Sequence, residues 1–263
     1  MFEYTKINFD KYIRDNFDIN NEIVLRKVKH SYDTVNMAEY IADDLDLSTE
    51  DRELAKVIAL LHDIGRFNQS RSFNNLVDAD KNIDHAVLGI KILFDNNLIR
   101  EFVNDSRFDN IIKKAIINHN KYELDDSDLN SRELLHCKLI RDADKADNFK
   151  FKVFSNVKSM AGITDDEIEN SSISDKVYND FMLRKTILNS DRKTAIDIWV
   201  SYIAYVFDFN FSSSLRYIRD NNYINILIDR FCYKNSDTKS KIEKIRKLAI
   251  DYIDERLESC KDI

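Results

Sequence analysis

A chain with no proline and only three glycines has few ways to turn sharply. Strand-rich folds need frequent turn residues, whereas helices need mainly the absence of breakers, so this sequence predicts an all-α protein. Its length of 263 residues is enough to bury a substantial core as one large domain, or as one domain with an appendage. Charged residues make up 33 % of the chain and hydrophobic ones 43 %, a mixture suited to helices with one apolar and one wet face.

Periodicity locates several of those helices. In "KIEKIRKLAIDYIDERL" (241–257), Ile245, Leu248, Ala249, Tyr252, Ile253 and Leu257 recur at helical spacing. A second stripe runs through His30, Thr34, Met37, Ala38, Ile41 and Leu45, so a histidine shares the inward face. A third helix is expected over about 50–63, opened by Ser48 or Thr49, with Asp51 and Glu53 in its first turn. Gly65 is expected to close it in a left-handed cap. After the long polar loop "RFNQSRSFNNLVDADKNID", helices are expected at about 84–96, 108–120 and 131–158. The acidic, Ser-rich segment "GITDDEIENSSISD" (162–175) suggests a division into a helical core, 1–160, and a C-terminal helical region, 161–263, packed on it.

Composition also excludes classes of function. The longest apolar stretch, "IWVSYIAYVF" (198–207), is too short to span a bilayer as a helix and reads as buried core. The N-terminal residues lack the basic start and apolar block of a signal peptide, and Cys137, Cys232 and Cys260 show no paired spacing, so a reduced, cytoplasmic protein is expected. A net charge of -7 argues against a long nucleic acid as partner. A small anion held by a few local cations remains allowed.

The chemistry-bearing residues stand where they should be costly. In "VIALLHDIGRFNQ" an apolar run ends in His62 and Asp63; His85 in "DHAVLGIKIL" shares a stripe with Leu88 and Ile92; His119 in "FDNIIKKAIINHN" shares one with Phe108, Ile111, Ile112 and Ala115. Asp144 in "LIRDADKADNF" lies on a stripe with Cys137 and Ile140. Four inward imidazoles and two inward carboxylates are expensive unless paired or metal-bound, and one metal ion or two would satisfy them. Neutral imidazole and ionised carboxylate suit Mn, Fe, Co, Ni or Zn. Taken singly, each histidine is better explained as a hydrogen-bonded core residue, and Asp144 as a cap or a partner of Arg141 or Lys145; the argument rests on their conjunction. His136, between Leu135 and Cys137, has no such context and reads as structural. No nucleophile-elbow motif or Gly-rich phosphate loop is present.

The ordered set His30, His62-Asp63, His85, His119, Asp144 resembles the HD superfamily of metal-dependent phosphohydrolases, over about residues 25–150, with "LLHDIGRF" similar to its HDIG variant. The resemblance implies an HD-domain helical bundle with a C-terminal helical extension. His30, His62, Asp63 and Asp144 match the four classical positions. His85 and His119 match the extra histidines of a binuclear subgroup that includes cyclic-dinucleotide phosphodiesterases, diadenosine tetraphosphate hydrolases and di-iron oxygenases. "DADKADN" is similar to a stretch of deoxynucleotide triphosphohydrolases in which a phosphate-contacting Lys follows the metal Asp, which carries that role to Lys145. The paired histidines and Gly-Tyr-Pro signature of cyclic-di-GMP phosphodiesterases are missing, since this chain has "NHNKYE" and no proline. Residues 160–263 resemble nothing specific.

The expectation is therefore hydrolysis of a small phosphorylated, nucleotide-like substrate by a water activated between two divalent transition metal ions. Asp63 would bridge them, His30, His62 and Asp144 would complete one site and His85 and His119 the other, with Arg66 and Lys145 stabilising charge. Arg71, Lys81, Lys121 and Arg141 would add basic surface for a phosphorylated ligand. The alternatives are a di-iron oxygenase on the same scaffold and a non-catalytic metal- or nucleotide-binding module. Self-association into a homodimer is an open alternative to a monomer.

Overall fold

The computed structural model describes residues 1–68, 84–158 and 162–259, and every regular element among them is helical. The chain divides into two compact units, Met1–Asp144 and Lys145–Ile263. Their division falls inside one helix, not at 160/161 where the acidic segment suggested it. The physical reason is that nothing from Ser131 to Phe154 breaks a helix, so α7 carries the chain from one unit into the next. The acidic segment instead forms α8 (Asp165–Asn170), opened by a capping box between Thr164 and Glu167.

In the first unit, α1 (Phe2–Asn16), α2 (Glu22–Asp44) and α3 (Thr49–Leu61) precede α4 (His85–Ile90), α5 (Ile99–Phe102) and α6 (Asp109–Asn118). A short π-helical turn, Lys91–Asp95, continues α4. Asn21 caps α2 by accepting from the amides of Ile23 and Val24, and Ser48 caps α3 by accepting from Asp51, as its sequence predicts. Helix α3 is the centre of this unit: Leu54, Ala55, Val57, Ile58, Ala59, Leu60 and Leu61 are all buried, and α2 lies along it. Truncating one such leucine to alanine costs about 2–5 kcal/mol.

Gly65 differs from its expectation. Helix α3 ends at Leu61, His62 and Asp63 make a turn with right-handed backbone at His62, and residues 64–68 are helical again. Gly162 is the one glycine with positive φ among the described residues, so Gly65 is not a left-handed cap. Its lack of a side chain serves an approach between backbones: a Cβ at Gly65 would lie 2.2 Å from the carbonyl oxygen of His85 and 2.8 Å from the nitrogen of Gly89. Gly65 and Gly89 thus form the crossing of the 64–68 segment over α4, and Ile64 and Phe67 anchor that segment in the core.

The second unit contains α8, α9 (Asp175–Met182), α10 (Ala195–Ile203), α11 (Ser212–Asp220), α12 (Tyr223–Asp229) and α13 (Ser236–Ser259). Trp199, fully buried, donates its indole N–H to the carbonyl of Leu227 at 3.0 Å and packs edge-on against Phe231. On α13, Ile245, Ala249, Tyr252, Ile253 and Leu257 are buried. No helix among the described residues is long and apolar enough to cross a membrane. Cys137 and Cys232 are free thiols, and Cys260 lies outside the described residues.

Candidate metal centre

Five separate segments of the first unit deliver the six residues. His30 comes from the middle of α2; His62 and Asp63 form the turn after α3; His85 opens α4; His119 directly follows α6; Asp144 lies on α7. Asp84 caps α4 through the amides of Ala86 and Val87, which sets the direction of the helix that starts at His85.

The donor atoms converge. Asp144 Oδ1 lies 3.2 Å from His30 Nε2 and 3.8 Å from His62 Nε2. Asp63 occupies the middle: its Oδ2 is 3.8 Å from His30 Nε2, and its Oδ1 is 3.3, 3.6 and 3.9 Å from the Nε2 atoms of His85, His119 and His62. His85 Nε2 and His119 Nε2 are 3.0 Å apart. Two ligands about 2.1 Å from a common ion stand about 3.0 Å apart at a right angle and about 3.4 Å apart at the tetrahedral angle. The observed separations fall in that range or slightly above it. Two overlapping triads, His30-His62-Asp144 and His62-Asp63-His119, each bring their ligand atoms within 4.8 Å of one another.

Hydrogen bonding prepares the imidazoles as ligands. His62 Nδ1 lies 2.7 Å from the carbonyl of Ala59, and His119 Nδ1 lies 2.7 Å from that of Ile116. A carbonyl oxygen can only accept, so both rings carry their proton on Nδ1 and aim the Nε2 lone pair inward. His62 Nε2 is buried without a hydrogen-bond partner, an arrangement that costs free energy unless an electrophile fills it. Charge states follow the same logic. Burial pushes His62 and His85 down to about 4, against the attraction of Asp63, so both are neutral near pH 7. Burial alone would raise Asp63, but Arg66 and the histidines outweigh it and hold this carboxyl well below the usual range. Asp144 is likewise depressed, burial being outweighed by His30 and the other imidazoles. Neutral imidazoles around ionised carboxylates are the donor set that a divalent transition metal requires, so the residues fit such an ion.

Cations border the cluster unevenly. Arg66 Nε lies 2.9 and 3.1 Å from the two oxygens of Asp63. Lys27, one turn before His30 on α2, was missed by the sequence reading. Burial lowers it to about 8, partly offset by Asp63 and deepened by Arg66, which places it in the field of the same carboxylate. Its only sequence signal is the i, i+3 spacing to His30. Lys145, expected to stabilise charge beside the metals, has its ammonium 2.7 Å from Asp208. Arg141, expected as basic surface, is fully buried and bonds backbone carbonyls. Lys121 is exposed, and Arg71 and Lys81 lie outside the described residues. His136 stands apart from the cluster, with Nε2 3.0 Å from Asp51 at the start of α3. Residues 28–149 match the family model of the HD domain. No curated protein and no solved structure matches the chain.

Proposed function

With residues 28–149 an HD domain of the metal-dependent hydrolase superfamily, we propose that this chain is a phosphohydrolase acting on a small phosphorylated, nucleotide-like substrate with two divalent transition metal ions. The observation that carries this reading is the central position of Asp63, whose Oδ2 faces His30 and whose Oδ1 faces His85, His119 and, farthest at 3.9 Å, His62. A bridging carboxylate needs that placement. His30, His62 and Asp144 would hold one ion, and His85 and His119 the other. Such ions supply Lewis acidity toward a phosphoryl oxygen and lower the pKa of water toward neutrality.

The chain's own groups do the rest. Asp63 and Asp144, kept ionised, offset metal charge. Arg66, with its side chain 42 % exposed, and Lys27 offer positive charge at the rim, where a phosphoryl group would need it. Nδ1–H bonds from His62 and His119 hold two rings in their ligating orientation through turnover.

The test is direct. Protein purified without metal is reconstituted anaerobically with Mn, Fe, Co, Ni or Zn, analysed for metal content, and offered a panel of nucleoside mono-, di- and triphosphates and simple phosphoesters under nitrogen. The expected result is close to two ions per chain, with phosphate or nucleotide release that needs no oxygen. Metal content near zero at saturation sinks the proposal, and product formation that depends strictly on iron and oxygen replaces it with the oxygenase.

A further inference from the structure

Arg141 is one of the largest fully buried side chains among the described residues, and its guanidinium donates to main-chain carbonyls. Nη1 donates to the carbonyls of Asn118 at 3.0 Å and Lys121 at 2.6 Å, and Nη2 reaches that of Tyr122 at 3.5 Å. These carbonyls bracket His119. Asn118 ends α6, where its carbonyl also accepts from the Lys121 amide at 3.4 Å, so a cation there adds a second donor at the negative end of the helix dipole. From the other direction, Asn120 donates its amide to both oxygens of Asp84, the residue that caps α4 just before His85. The segment carrying His119 is therefore gripped on both sides.

The ring of His119 takes its orientation from this backbone, because its Nδ1–H bonds the carbonyl of Ile116 one turn back. Arg141 itself lies three residues before Asp144 on α7, one helical turn. That helix thus contributes one donor with its own carboxylate and orients another, in the turn that follows α6, through Arg141. Buried as it is and committed to carbonyls, this guanidinium is not placed to meet an incoming anion.

We propose that Arg141 is a positioning residue for His119, and that removing it empties selectively the half of the centre formed by His85 and His119. The inference rests on the metal-binding reading above. Its specific content is a split: His30, His62 and Asp144 do not depend on the 118–122 segment, whereas His119 does. A planar fork that reaches three carbonyls cannot be replaced by an ammonium on a flexible stem, so lysine should restore the function only in part.

The test compares wild type, Arg141→Met and Arg141→Lys, each titrated metal-free with Co(II) and followed by visible absorption and elemental analysis. In the variants the first ion is expected to bind within about threefold of wild type, and the second about 10- to 100-fold more weakly, the range found when a partner of a metal-ligating histidine is lost. Should Arg141→Met fail to fold, Arg141→Lys carries the comparison. Nitrogen-15 spectra of the histidine rings in metal-free protein supply a second readout, in which His119 is Nδ1-protonated in wild type and loses that single tautomer in Arg141→Lys. Both ions at wild-type affinity in the variants, or both lost in parallel, would overturn the inference. If wild type binds no Co(II), the proposed function falls, and the His119 ring spectrum alone decides the positioning role: an unchanged pattern in Arg141→Lys refutes it and a changed one supports it.

Discussion

Replacing Gly65 with alanine would add one methyl group whose place is dictated by the backbone. It would sit 2.2 Å from the His85 carbonyl oxygen and 2.8 Å from the Gly89 nitrogen. Ordinary contact begins near 3.4 Å, so the two backbones must part by roughly 1.2 Å, a displacement that no rotamer change can absorb because the obstructing atoms are main chain. The carbonyl being pushed belongs to His85, whose Nε2 stands 3.3 Å from Asp63. Metal sites tolerate errors of about 0.2 Å in ligand distance, several times less than the required shift. Gly65→Ala should therefore lose the ion shared by His85 and His119, and should destabilise the protein by about 1–3 kcal/mol through overpacking, a fall in Tm of about 2–12 °C for a chain of this size. Gly89→Ala is the internal control, because its Cβ would meet Ile64 Cγ2 at 3.5 Å, ordinary contact, on a helix that alanine favours. It should be neutral or slightly stabilising. Elemental analysis after dialysis and thermal unfolding of both variants provide the check. Gly65→Ala with wild-type metal content and Tm would show that the crossing yields easily and would refute the reasoning.

Asp63→Ala should remove both ions and all turnover, and appreciable metal in that variant by elemental analysis would take the bridging role from Asp63. The metal-free protein should lose stability on acidification. His62 and His85 bind a proton with folded pKa about 4 against about 6.5 unfolded, so their contribution, at most about 3 kcal/mol each, is complete above pH 6.5 and lost as pH falls toward 4. Urea midpoints at pH 7 and pH 5 measure this, and equal values would contradict it. Lys145→Met should leave metal content intact and lower Tm slightly, since it removes the Lys145–Asp208 ion pair, while turnover stays within a few-fold; a loss of about two to three orders of magnitude in kcat would return the lysine to the chemistry, on the scale of one preorganised donor.

The helices and their inward histidines were legible because helical spacing is written directly into the order of residues. His62, His85 and His119 each end or open a helix, and the apolar neighbours that bury them sit three or four positions away. What the sequence could not convey was the reason for a residue's presence. Gly65 marked a place where a side chain is forbidden, but a left-handed φ and a close backbone crossing forbid it equally, and the choice depends on α4, some twenty residues later. Arg141 looked like one more cation among 40 lysines and arginines, since burial of a charge depends on carbonyls from another helix. Lys27 stayed hidden for the opposite reason, as a lysine in "RKVKH" gains meaning only when Asp63 and Arg66 come near it. The division at Asp144 leaves no mark at all, because an unbroken helix passes through it.

His62 and His119 share a device whose consequence concerns mutation. Each ring is steered by a carbonyl three residues earlier, on Ala59 and on Ile116. Most metal-ligating histidines steered by a carboxylate can lose that partner to a single codon change. Here the acceptor is main chain, which every amino acid supplies, so no replacement at position 59 or 116 deletes it unless the helix end itself is deformed. The two ligands can therefore keep their tautomer while the side chains at positions 59 and 116 change, as long as each helix end keeps its shape, which at His119 includes the hold of Arg141 on residues 118–122.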